Sequence, residues 1–284
     1  MWVIAKLSCK EILYKRIFLI TALASLAFLL FYAIATHFAA GEVAQQSNND
    51  VMMRSFYTTQ FLGIGLYFAA FITALLAILS SVSSISGEIE SHQIDTWLAR
   101  PLPRRSIILG KFAGLSLLLA LYAAFLFSGI ISINQLIGGE ALKVDITGSQ
   151  FIKSLGIFML EPVILVAVAL FFSSMITTIN GGVIMIILYG ISFIGGFVEQ
   201  FGVLIEKPAL QDIGIASSLL FPVDSLFRKM MVCLFDTADS PFSFAAQGMF
   251  GSLSEPSGAM MVYTALYAMT ALWLAVRNFT VRDV

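Results

Sequence analysis

Apolar runs of about 20 residues, the length a helix needs to cross a hydrocarbon core of about 30 Å, recur along this chain. They are Ile17 to Phe38, Phe61 to Val82, Phe112 to Ile133, Leu155 to Ile176, Ile179 to Val198 and Ala259 to Val276. The pattern predicts an all-α integral membrane protein, one domain over residues 1–284 with six transmembrane helices. The fifth run is the most broken: Asn180, Gly181 and Gly182 open it, and Gly190, Gly195 and Gly196 interrupt it. Membrane helices tolerate such glycines where neighbours pack closely. Three longer polar stretches remain: residues 1–16, 83–111 and 199–258.

Composition agrees with the pattern: 59% of the residues are hydrophobic, only 12% are charged and the mean hydropathy is +0.93. A soluble domain carries about 25% charged residues, so that class is excluded. An even number of spans puts both termini on one side, and the Lys/Arg bias selects it. With the termini cytoplasmic, the inner parts hold Lys6, Lys10, Lys15, Arg16, Arg100, Arg104, Arg105, Lys111, Arg277 and Arg282, the outer parts fewer. The expectation is a multi-pass protein of the cell (inner or plasma) membrane. Ala33-Ile34-Ala35 resembles a signal-cleavage site, but the long charged leader and the spanning length of the run favour a retained helix. Cys9 and Cys233 fall on opposite sides of the membrane, which leaves no intrachain disulfide.

Residues 1–16 read as a helix on the inner membrane surface or as an extension of the first span. Lys6 and Lys10, and Glu11 and Lys15, are spaced i, i+4 beside Val3, Ile4, Leu7 and Ile12. The segment 83–111 is the long polar stretch on the cytoplasmic side. Ser86 can cap a helix whose first turn carries Glu88 and Glu90. Helical phase then puts Glu88, His92, Asp95 and Ala99 on one face, with Ile89, Ile94, Trp97 and Leu98 on the other. Arg100 before Pro101, and then Pro103, end it. Read from residues alone, this is either a surface helix that meets a partner or a solvated loop whose arginines touch lipid headgroups.

The run Gly87-Glu88-Ile89-Glu90, with Asp95, Leu98, Pro101, Arg104 or Arg105, Ile108 and Gly110-Lys111, resembles the first cytoplasmic loop of type-2 ABC exporter permeases. Lys10-Glu11-Ile12-Leu13 resembles that family's N-terminal surface helix, and Phe279, Arg282 and Asp283 its C-terminal ending. Pro222 to Arg228 is similar to an outer segment of permeases of nitrous-oxide reductase maturation. His92-Gln93 stand where the family usually has Gly-Thr. The resemblance implies a membrane subunit of an ATP-driven exporter with a coupling helix between spans 2 and 3. Gly87, Glu88, Glu90, Asp95, Trp97, Leu98, Pro101, Arg104 and Arg105 would meet a separate ABC ATP-binding subunit. ATP and Mg would belong to that subunit, and a second permease copy or paralogue would complete a dimer. The chain shows no Gly-x-x-x-x-Gly-Lys-Ser/Thr phosphate loop and no paired nucleophile and base, so no catalytic residue and no metal or cofactor site is expected in it.

Gly110 and Gly114, and Ala70 and Ala74, form small faces for helix packing, within the chain or across a dimer. Glu161, beside Pro162 and read as near the outer end of the fourth span, is a candidate pathway residue, because a charge in hydrocarbon costs about 2.5 kcal/mol or more. In the outer loop, a re-entrant or surface helix is expected from Pro222, with Asp224 and Arg228 paired at i, i+4. The outer methionine pairs Met52-Met53, Met230-Met231 and Met260-Met261 suit Cu(I) or plain packing. A self-sufficient secondary transporter or channel, or an anchor for a surface assembly that moves no solute, are the alternative functions. No nucleic-acid partner is indicated; membrane lipid is.

Overall fold

The computed structural model describes residues 2–46, 51–94, 103–144, 146–235 and 256–281. They form α1 (Trp2–Tyr14), α2 (Arg16–Gln46), α3 (Val51–Val82), α4 (Ser86–Glu90), α5 (Arg104–Ile137), α6 (Gly139–Leu142), α7 (Gly148–Met175), α8 (Thr178–Leu204), α9 (Pro208–Leu220), α10 (Val223–Phe235) and α11 (Gly258–Val281), with no strand among the described residues. Six helices are long and apolar enough to cross a membrane: α2, α3, α5, α7, α8 and α11. Each runs past its apolar core into flanking polar residues. Helical hydrogen bonding does not stop where the hydrocarbon does.

The centre of the bundle is α3, α5 and α7, which pack on one another. Leu62, Leu66, Ala70 and Ala74 of α3 are buried there, and Phe127 of α5 meets Phe158 of α7 with ring centroids 5.3 Å apart. Ala70 and Ala74 therefore serve packing within the chain. The apolar windows of α2 and α11 are only 11% and 17% buried, against 33% or more for the other spans. Those two helices are peripheral.

Lys15 separates α1 from α2, and α1 packs along α5 instead of extending the first span. The contact depends on Gly114, where a Cβ would run into the Ala5 carbonyl. Cys9 donates its thiol proton to the Gly114 carbonyl at 3.0 Å, and burial pushes the thiol pKa up. Gly114→Val is expected to destabilise the protein by about 1–3 kcal/mol through overpacking. Limited proteolysis should then show faster cleavage at α1 than in the wild type.

Between α8 and α11 the described residues form two helices, α9 and α10, where one was expected. α9 runs back antiparallel along α8, and the fit relies on small residues. Cβ atoms at Gly195, Gly202 and Gly214 would collide with Ser217, Gln211 and Glu199 respectively. Of the glycines that break up the fifth apolar run, Gly195 belongs to this seam. At its inner corner Ser192, near the middle of α8, donates to the Phe221 carbonyl at 2.7 Å and accepts from the Asp224 amide at 3.1 Å. The corner therefore reaches about half the depth of the bundle, and α10 turns back from it. α9 and α10 are thus a helical pair folded back into the bundle. The helix expected at Pro222 begins one residue later, and it is no surface helix: Val223 to Arg228 are all buried, and α10 packs on α7.

Candidate functional site

At the end of the bundle where α3 closes and α5 begins, the chain ties four spans together. Lys111 of α5 reaches across to Glu88 of α4 at 2.6 Å, with side-chain exposures of only 3% and 11%, and also donates to the Ser84 carbonyl. Ser173 near the end of α7 accepts from the amides of Ile85 (3.1 Å) and Ser86 (2.9 Å) and donates to the Val82 carbonyl at 2.6 Å. One hydroxyl thus satisfies donors and an acceptor that the break between α3 and α4 would otherwise strand. Glu90 accepts from the Thr178 amide at 2.8 Å and from its hydroxyl at 3.3 Å, placing a carboxylate at the positive end of α8. Ser86 shares a 2.8 Å hydrogen bond with Thr178 as well.

This geometry corrects two expectations of the sequence. Ser86 does not cap α4: the N-cap is Ile85, which stays in the right-handed helical region, and the Ser86 hydroxyl bonds back to the Val82 carbonyl. The Ile89 amide, which it would have capped at N3, bonds the Ile85 carbonyl at 3.0 Å instead. The helix also stops at Glu90 instead of running to the prolines. His92 adopts φ 57°, the left-handed region that favours glycine, and its amide bonds the Ile89 carbonyl. The helix that would have carried Glu88 and His92 on one face is therefore broken at His92.

Of the residues singled out in the sequence, Glu88 points inward to Lys111, Gly87 sits half-buried beside Thr178, and Glu90 is exposed at α8. Arg104 is half-buried and Arg105 exposed at the start of α5, with Gly110 buried one turn further along. Asp95, Trp97, Leu98 and Pro101 lie outside the described residues. Neither Ser173 nor Thr178 was singled out, because nothing local distinguishes them from other hydroxyls in an apolar run.

A second polar cluster lies at mid-depth. Glu161 is near the middle of α7 (Gly148–Met175), not near its outer end, because the helix begins well before the apolar run does. It is 3% exposed. Pro162 after it removes the amide that would bond the Phe158 carbonyl. Glu161 lines a cavity of about 20 Å³, space for one water-sized group, with Tyr67, Tyr189, Ser192, Asp224 and Phe227. Asp224 continues into an ion triad. Its Oδ2 lies 2.8 Å from Arg228 Nε, while the Arg228 guanidinium donates both terminal nitrogens to Glu199, at 2.6 and 2.8 Å. Arg228 also donates to the Ser218 hydroxyl at 3.3 Å. The i, i+4 pair of Asp224 and Arg228 is present as expected, but it is buried, and its partner Glu199 sits on α8. Gly196 opens the space: a Cβ there would strike the Asp224 carboxyl.

Among the described residues no group of His, Cys, Asp and Glu side chains is arranged to hold a metal ion. No curated protein matches the chain. The family model described as ABC-2 family transporter protein matches residues 2–283, nearly all of it, and the six apolar helices agree with a membrane component. The chain belongs to the ABC-2 transporter family and is a multi-pass membrane component of an ABC transporter.

Proposed function

We propose that the chain is the permease subunit of an ATP-driven exporter, worked by a separate ATP-binding subunit that docks on the 83–111 segment at the cytoplasmic face. ATP and Mg bind in that subunit, and a second permease copy or paralogue completes the assembly. The observation that supports this most is the knot at the inner corner. Glu88, Ser86 and Glu90 join the end of α3 to α5, α7 and α8, so a push on this one segment is delivered to four spans together. Two of those spans, α7 and α8, also carry the mid-depth cluster through Glu161, Ser192 and Glu199. The push would come from ATP favouring the closed form of the ATPase pair, since a ligand shifts an equilibrium only by its differential affinity.

Affinity purification from native membranes in mild detergent should bring down an ATP-hydrolysing subunit. Arg105→Glu, which alters an exposed group outside the knot, should weaken that association about tenfold and leave the thermal stability of the permease unchanged. Glu88→Lys is a poor probe, because it breaks the buried pair with Lys111 and disturbs the fold itself. A chain that purifies without an ATPase and moves solute alone would establish the secondary-transporter alternative instead.

A further inference from the structure

We propose that the mid-depth cavity between α3, α7, α8 and α10 is a binding site for a primary ammonium group, held by Glu161 and Asp224 and walled by aromatic rings. Charge comes first. Among the described residues, Glu161, Asp224 and Glu199 set three carboxylates around the guanidinium of Arg228. Buried charge without compensation is costly. The deficit is located: Arg228 engages Glu199 and Asp224, whereas the carboxyl of Glu161, 3% exposed, has no hydrogen bond or ion pair among the described residues and faces the cavity.

The walls narrow the ligand class. Tyr67 stands with its ring centroid 5.0 Å from Phe193 and 4.9 Å from Phe227, and all three rings line the cavity. Aromatic faces beside carboxylates suit a cation. With room for about one water-sized group, a compact –NH3+ with three donors fits, and a trimethylated nitrogen does not. The Ser192 hydroxyl is already engaged by Phe221 and Asp224, which leaves the two carboxylates as the charged acceptors, beside the Tyr67 and Tyr189 hydroxyls. The ammonium belongs either to a small amine or to an amphiphile whose tail stays in the hydrocarbon. This proposal rests on the reading of the chain as a solute-moving permease.

The test uses the purified full chain in non-ionic detergent, without any ATPase, so that failure here leaves the ATP-coupling reading standing. Thermal unfolding is followed with methylammonium, octylammonium, tetramethylammonium and sodium at matched ionic strength. A primary ammonium should raise Tm by several degrees through preferential binding to the folded state, tetramethylammonium should not, and Glu161→Gln should abolish the rise. Saturation by octylammonium at a concentration at least tenfold below that of methylammonium identifies an amphiphile; equal concentrations identify a small amine. A rise of the same size with sodium would overturn the proposal in favour of an inorganic cation. Stabilisation by acid alone, lost in Glu161→Gln, would overturn it in favour of a bound proton. Should Glu161→Gln fail to fold, the size series on the wild-type chain still decides.

Discussion

Arg228→Met is expected to keep the protein from accumulating as a folded species in the membrane. The guanidinium is 3% exposed and is the cation between Glu199 and Asp224. Removing one partner of a buried ion pair typically costs about 3–5 kcal/mol, and here two carboxylates lose their partner at once. Arg228→Lys should rescue little, since an ammonium cannot reproduce the two-pronged contact with Glu199 while also meeting Asp224. Adding Glu199→Gln to Arg228→Met should restore part of the loss by removing one of the stranded charges. Membrane content of full-length protein and the Tm of whatever is extracted measure both effects. Wild-type levels of Arg228→Met would show that the triad does not hold α10 against α8.

Lys111→Met is expected to lower stability by about 3–5 kcal/mol as well, a fall of roughly 10 °C in Tm at about 2–4 °C per kcal/mol for a large domain. The substitution is nearly isosteric, so a purely packing role for Lys111 would predict less than about 1.5 kcal/mol. What it removes is the cation that Glu88 faces and the donor to the Ser84 carbonyl. The double variant Glu88→Gln, Lys111→Met should recover much of the loss, because neither charge is then buried alone. A double-mutant cycle gives the coupling between the two residues directly. Beyond stability, the single variant should uncouple ATP hydrolysis from transport in the assembled transporter, because the end of α5 is no longer fastened to α4.

The spans were legible in the sequence because twenty apolar residues in a row admit few other structures, and backbone polar groups in lipid must be satisfied within the segment. The i, i+4 pair of Asp224 and Arg228 was legible for a similar reason: helical spacing alone brings the two together. Partners far apart in sequence were not. Ser173 finds Ile85 and Ser86, Lys111 finds Glu88, and Glu199 finds Arg228, and no periodicity announces such pairs. Ile213 to Phe235 is a largely apolar stretch, and the chain folds there into parts of two helices with a corner at Phe221 and Pro222. The signal for that hairpin was present in Gly195 and Gly202, which match Ser217 and Gln211 of the returning helix; it becomes readable only once the two helices are known to run side by side. The helix end at Glu90 was missed because it rests on a histidine in the left-handed region, a conformation the residue type does not advertise.

The two polar clusters are joined by continuous helix. On α7, Ser173 in the inner knot and Glu161 at mid-depth belong to one rod, and on α8 the rod runs from Thr178 to Ser192 and Glu199. Displacement at the inner corner therefore alters the spacing of the groups around the mid-depth cavity, provided that a subunit outside this chain supplies the force. Gln93, exposed in the turn just beyond α4, is the position from which that subunit can be found. In native membranes, Gln93→Cys treated with a short bifunctional thiol reagent should cross-link to an ATP-hydrolysing protein, with a yield that changes when ATP and vanadate are added. Absence of any such adduct, together with solute movement by the reconstituted chain alone, would contradict the account.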